Sequence, residues 1–333
     1  MYMDKLRVAV VGCGSISSKH FETICDYENS TLVAVCDIVP GKADKKAAMH
    51  NAKAFYSFDE MLENSDFDVL HICTPHYLHA PMAIKAMNKG IHVLSEKPLA
   101  IYHNDAVAMC ECAKENNVYL GACFQNRYNE SSVYIRNLIA SGELGAVKGV
   151  KGMVTWDRDE DYYSDDWHGT LDKEGGGVVI NQSIHTIDLL QWFVGSDMID
   201  VKSSISQKRL AGKVETEDTA DAVITFENGV QAVFYATLCY SSNSPVFIEI
   251  LCEKGKIVMY DDLAIIRKGE NKQTITFEHA KGDKGYWGNS HGKLISDFYN
   301  SIINKTPFEI DGESAIKAVK IVDNIYKNAR KIK

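Results

Sequence analysis

The sequence predicts an α/β protein in two parts: a doubly wound parallel sheet, then a second α/β region whose sheet is mostly antiparallel. Three observations predict it. Short apolar runs alternate with helical stretches over the first third of the chain, which is the pattern of a parallel sheet covered on both faces. A glycine-rich turn joins the first of these runs to a helix. After about residue 125 the rhythm changes to closely spaced strands joined by turns such as ENG and EKG. The regions are therefore 1–124 and 125–333.

In order, LRVAVVG (6–12), TLVAVCD (31–37), VLHICTP (69–75), IHVLSE (91–96) and VYLGACF (118–124) are the parallel strands. Helices at 77–89 and 104–116 lie between them. The second region opens with a helix at 130–141, a loop rich in aromatics and acids at 156–174, and a helix at 176–194. Strands follow at 199–209, 219–226, 230–239, 246–252, 256–260, 263–267 and 273–278, and amphipathic helices near 290–303 and 312–330 close the chain.

Composition narrows the function. The chain has 333 residues, 45% hydrophobic and 24% charged, which is ordinary globular composition. Its net charge of −9, spread along the sequence, lacks the footprint of a nucleic-acid or anionic-membrane partner and leaves a small molecule as the expected one. The start, MYMDKLRVAVVGCG, carries Asp4, Lys5 and Arg7 and too short an apolar run for a signal peptide, so a cytoplasmic protein is expected. Five of the nine cysteines (Cys36, Cys73, Cys123, Cys239 and Cys252) fall in apolar strands, where free thiols act as small hydrophobes. Cys110 and Cys112 lack zinc-ligand spacing, and His76 and His79 read as surface or capping histidines, so no metal is expected.

The turn VVGCGSIS follows a strand and opens a helix. Gly12 allows the tight turn, Gly14 lets the backbone approach a pyrophosphate, and Ser17 occupies the third, close-packed position. Asp37 ends the second strand, where an acid accepts hydrogen bonds from an adenosine ribose. Ile38 follows, with no cation for a 2′-phosphate, which favours NAD over NADP. The strand ends CTP (73–75) and SEKP (95–98) belong at the same crevice. Lys97 is then suited to exchange a hydroxyl proton as hydride moves at carbon, with Glu96 as a compensating charge. In the second region, Asn181, His185 and Asp188 share one face of an otherwise apolar helix that begins with Gly175, Gly176 and Gly177. Buried polar groups need partners or a cleft, and the glycines favour a cleft faced by Asn181 and His185.

GCGSIS, CTPHYLHAPMAIKAMNKGIHVLSEKPLA and GGGVVINQSIHTIDLLQWFVG together resemble the glucose-fructose oxidoreductase, inositol dehydrogenase and rhizopine-catabolism (Gfo/Idh/MocA) family, over essentially the whole chain. The resemblance implies a Rossmann domain, a C-terminal α/β domain with a large open sheet, and NAD(P)-dependent chemistry on sugars or polyols. By position, Lys97 resembles the family's catalytic lysine and His185 its catalytic histidine, while Asn181 stands where an aspartate is usual.

The resulting reading is a dehydrogenase or reductase acting on a sugar, sugar derivative or cyclitol, with Lys97 as acid/base and His185 and Asn181 assisting. Gly12, Gly14, Ser15, Ile16, Asp37, Thr74, Pro75, Glu96 and Gln125 are expected to line the cofactor. Arg158, Tyr163, Trp167 and His168 are expected to select the substrate. An NAD-dependent glycosidase working through transient oxidation and a dinucleotide sensor are the alternatives. A homodimer or homotetramer is expected, joined through the open sheet.

Overall fold

The computed structural model describes residues 5–260, 263–277 and 290–332. Asp4 and residue 278, the last of one expected strand, lie outside them. The chain forms two compact units, Met1–Cys123 with Ser290–Ile316, and Phe124–Asn289 with Lys317–Lys333.

The first unit holds six parallel strands: β1 (Leu6–Val11), β2 (Ser30–Cys36), β3 (Lys53–Phe55), β4 (Val69–Ile72), β5 (His92–Ser95) and β6 (Leu120–Ala122). Their order is β3-β2-β1-β4-β5-β6, so the winding reverses between β1 and β4. Ligands of such sheets bind beyond the strand ends at that reversal. The strands are as apolar as the sequence suggests, with Val8, Val10, Val35, Leu70, Ile72, Val93 and Leu94 buried. Helices α1 (Ser17–Asp26), α2 (Pro40–His50), α3 (Phe58–Asn64), α4 (His79–Met87) and α5 (His103–Glu115) alternate with them. The unit also takes in α8 (His291–Asn304), which packs on α1 with Phe298 and Tyr299 fully buried.

The second unit holds α6 (Glu130–Ala140), α7 (Ile184–Val194) and a nine-stranded sheet. Its strands are β7 (Val147–Thr155), β8 (Met198–Ser206), β9 (Thr219–Phe226), β10 (Gln231–Thr237), β11 (Phe247–Cys252), β12 (Gly255–Tyr260), β13 (Leu263–Lys268), β14 (Asn271–Thr276) and β15 (Ala329–Ile332). The order is β14-β13-β12-β11-β7-β10-β9-β8-β15, antiparallel except at β10–β7 and β15–β8.

Four elements differ from expectation, the first being the short β3, a sixth parallel strand beyond the five expected. The strand β7 was not foreseen, because Lys148, Gly149 and Lys151 break its apolar run; only Val150, Gly152 and Val154, on one face, are buried. The stretch 176–194 is not one helix. Val178–Gln182 is a π turn, closed by the Ser183 N–H on the Val178 carbonyl at 2.9 Å, and α7 starts afresh at Ile184. Finally, the last helix, α9 (Gly312–Asn328), stops short of 330, and β15 continues the chain beside β8. Among the described residues no helix is long and apolar enough to cross a membrane.

Candidate active site

In the first unit the glycine turn is shaped by necessity. Gly12 has φ 90°, and a Cβ there would lie 2.5 Å from the Cys73 carbonyl oxygen, so no other residue fits between β1 and β4. Gly14, by contrast, faces open space: a Cβ there would meet nothing within 4 Å. Ser17 is fully buried and its hydroxyl donates to the Gly14 carbonyl at 2.7 Å, which fixes the turn as α1 begins. Ser15 is exposed and Ile16 half-buried on the same turn. A turn that is closed behind by β4 and open in front at Gly14 fits a dinucleotide pyrophosphate.

Asp37 directly follows β2. One carboxylate oxygen accepts the Cys13 N–H and the other the Val39 N–H, each at 2.8 Å, so the acid is oriented by the turn it is expected to serve. Beside it Ile38 is 86% exposed. Thr74 and Pro75, half-buried, follow β4, and Glu96, Lys97 and Pro98 follow β5. His79 ties these two loops together: its ring nitrogens face the Pro98 carbonyl at 2.7 Å and the Thr74 carbonyl at 2.9 Å. His76 and His79, read as surface or capping histidines, are not at the surface, since both are buried. Lys97 is half-buried, and its backbone N–H donates to a Glu96 carboxylate oxygen at 3.2 Å.

Glu96 itself is buried and faces inward to His20 and His291, at 3.0 and 3.4 Å from one oxygen. Burial opposes its ionisation, but the His20 hydrogen bond and the nearby His291 ring outweigh that and hold its pKa well below the carboxylate range. The sequence reading missed His20, His71, His291 and Tyr299 in this group, because a single histidine on an apolar element gives no signal of its partners.

In the second unit Tyr162 is the hub. Its hydroxyl accepts from the Gln182 side chain at 3.0 Å and from Asn181 Nδ2 at 3.4 Å. The Arg158 guanidinium lies over its ring at 5.2 Å, and the His168 ring is 4.7 Å away. Of the expected substrate-selecting residues, Arg158 and His168 thus gather with Asn181 around Tyr162. Trp167 lies against His168 at 3.7 Å, and Tyr163 joins the same group, edge-on to Tyr162 at 5.0 Å and beside Gly169. Adjacent tyrosines in a loop carry no sequence mark of which one takes the hydrogen bonds.

Asn181 also donates to the fully buried Glu174 at 2.6 Å, so both its amide hydrogens are engaged and the side chain can serve another partner only through its carbonyl. His185 is half-buried with its ring edge-on to Phe124. Asp188 does not join them: both its oxygens receive the Arg127 guanidinium, at 2.8 and 2.5 Å, in a buried pair. The π turn takes only Asn181 out of register; His185 and Asp188 both lie on α7, where Asp188 is committed to Arg127.

The triglycine run is also corrected. A Cβ on Gly177 would lie 2.0 Å from the Glu217 carbonyl oxygen, and one on Gly176 2.0 Å from the Tyr326 hydroxyl. The close approach is therefore to the protein's own groups. Glu217 accepts the N–H groups of Gly177 and Val179, each at 3.0 Å, and so satisfies donors at the start of the turn. Gln125 is buried where the second unit begins. A surface depression on this unit lined by Ile139, Val147, Lys148, Val194 and Asn228 contains none of the expected site residues.

A first unit built this way takes a dinucleotide, which puts the chain in the class of NAD-binding oxidoreductases. Residues 6–124 match the oxidoreductase family with NAD-binding Rossmann fold, and residues 133–258 match the GFO/IDH/MocA C-terminal domain. Inositol 2-dehydrogenase of Salmonella typhimurium is 30% identical over 260 residues, 75% of this chain and 72% of that one. The 1-carboxy-3-chloro-3,4-dihydroxycyclo hexa-1,5-diene dehydrogenase of Comamonas testosteroni is 31% identical over 234 residues, 68% of this chain; the match spans only 56% of that relative. Among solved structures, WlbA dehydrogenase from Bordetella pertussis, in complex with NADH and UDP-GlcNAcA, is similar with TM-score 0.84 and 28% identity, covering 97% of this chain and 96% of that one. The chain belongs to the GFO/IDH/MocA family of oxidoreductases.

Proposed function

We propose that the protein is an NAD-dependent dehydrogenase or reductase for a secondary hydroxyl or ketone of a sugar, a sugar derivative or a cyclitol, with Lys97 as general acid/base. The observation that carries this reading is the convergence of the Gly12–Gly14 turn, Asp37, Thr74 and Lys97 at the C-terminal ends of β1, β2, β4 and β5, around the reversal of strand order. Bound NAD would supply the two-electron acceptor. As a free amine, Lys97 takes the hydroxyl proton while the carbinol C–H bond breaks, and in reduction its ammonium returns that proton to the new alkoxide. Asn181, through its carbonyl, and His185 hold the hydroxyl; Arg158 and His168 contact the rest of the substrate.

Asp37 favours NAD, because a carboxylate at the ribose repels a 2′-phosphate. The nine free thiols suit a reducing compartment, in keeping with a cytoplasmic enzyme. A second copy of the chain covers the outer face of the nine-stranded sheet. The experiment is NAD⁺ reduction across sugars, sugar nucleotides and cyclitols, including inositol and UDP-GlcNAcA, which are named for two similar proteins. Reduction that Lys97→Met abolishes supports the reading. NAD⁺ binding with no turnover of any substrate favours a sensor, and cleavage of an aryl glycoside without added NAD⁺ favours a glycosidase.

A further inference from the structure

Glu96 is surrounded by more titratable groups than its place beside Lys97 requires. One oxygen takes His20 Nε2 at 3.0 Å and faces His291 Nε2 at 3.4 Å, and the other accepts the Lys97 backbone N–H at 3.2 Å. The Cys123 thiol, just past β6, has its sulfur within 4.8 Å of the Glu96 carboxylate and the His20 ring. Behind His20 the chain of bonds continues: His20 Nδ1 meets His71 Nδ1 at 2.7 Å, and His71 Nε2 meets the Tyr299 hydroxyl at 2.8 Å. His20, His71 and Tyr299 are 0% exposed, and His291 is 5%. Cys73 and His79 lie close enough to feel the charge of the carboxylate.

One proton arrangement runs through this chain with neutral imidazoles. Tyr299 donates to His71 Nε2, His71 Nδ1–H donates to His20 Nδ1, and His20 Nε2–H donates to Glu96. Burial favours it, since it disfavours a charged His71. Every donor then points toward the carboxylate, and a carboxylate engaged at both oxygens cannot turn.

We propose that His20, His71, His291 and Tyr299 are positioning residues that hold Glu96, and through its bond to the Lys97 backbone hold Lys97, in working geometry. The proposal rests on the reading of Lys97 as acid/base. The network starts on α8, crosses β4 and α1, and ends one residue before Lys97. An apolar core would fill the same space without desolvating so many polar groups. The fixed negative charge also bears on how readily the neighbouring ammonium gives up its proton.

The test uses Glu96→Gln, His20→Leu and His20→Gln, the last because a glutamine amide keeps an N–H for Glu96. Glu96→Gln and His20→Leu should each lower kcat about tenfold or more while NAD⁺ Kd stays within about threefold. His20→Gln should recover at least about a third of the wild-type rate. A second readout needs no substrate. Trace acetylation by acetic anhydride, read by mass spectrometry against exposed Lys42 and Lys45, should label Lys97 about threefold faster in Glu96→Gln, where the neighbouring charge is gone. If the wild type turns over nothing, the reading of function fails while the acetylation result still decides the positioning. Unchanged Lys97 labelling with variants that only melt earlier would overturn the proposal. So would about one zinc per chain by elemental analysis, since His20, Glu96 and Cys123, whose ligand atoms lie within 4.8 Å of one another, would then be metal ligands.

Discussion

At Asn181 a single side chain links two buried groups, and its substitution is informative for that reason. From the sequence, an aspartate there would act chiefly on His185. The structure puts Glu174 2.6 Å from the Asn181 amide, so Asn181→Asp would set a second carboxylate against a fully buried first one. Two such acids cannot both ionise, and one keeps its proton well above the usual range. Asn181→Asp should therefore lower the melting temperature and kcat together, and adding Glu174→Gln, which restores a donor, should recover much of both. A stability profile identical to wild type would contradict this contact. Lys97→Met should abolish turnover with NAD⁺ affinity within about a few fold, as a fluorescence titration would show; parallel loss of binding would make the lysine a cofactor anchor. The strand-end positions of Lys97 and Asp37 were legible because strand ends and a glycine turn leave marks in one dimension. Tyr162, His20 and Glu174 were not, because their importance lies in partners between 7 and 76 residues away.

At the level of elements, periodicity separates what could be read from what could not. The strands of the first sheet are covered on both faces and appear as apolar runs, whereas β7 is covered on one face and alternates with lysine and glycine. The uncovered face has its own pattern. Paired register aligns Tyr260, Phe247, Met153 and Tyr235 across four adjacent strands, and Val233 and Val223 stand opposite each other in the next row. Met153, Val233, Tyr235 and Tyr260 are 40%, 54%, 37% and 43% exposed. Lys151 and Lys256, both bonded to Glu249, give the face both signs of charge, so a two-fold copy can meet itself. Large apolar sheet faces mark association. The wild type should run as a dimer or tetramer in light scattering, and Val233→Asp with Tyr235→Asp should yield monomers with an unchanged circular dichroism spectrum. A monomeric wild type at micromolar concentration would refute this surface as the interface.

At the scale of the whole molecule, buried histidines of the first unit and a buried glutamate of the second respond to acid in opposite directions. His71, His79 and His92, all in the first unit, are held below the ordinary value of 6.5 by burial. The unfolded chain binds protons at these positions near pH 6.5 and the folded chain does not. Their contribution to stability is therefore full above 6.5 and is lost as pH falls from there toward their folded values. Glu96, depressed from 4.5, adds its own loss only below that value. In the second unit Glu217 works in the other direction: burial raises its pKa above 4.5, so its contribution is full below 4.5 and lost as pH rises through the folded value. Between about pH 7 and about pH 5 the first sheet should lose protection while the second holds. Hydrogen exchange followed by mass spectrometry, expressed as protection factors, measures this directly: β4 and β5 should weaken before β9 and β10. His92→Gln should make the first unit's decline shallower, because one of the three depressed histidines is then gone. Earlier loss in β9 and β10 would mean that groups other than these histidines govern the acid response.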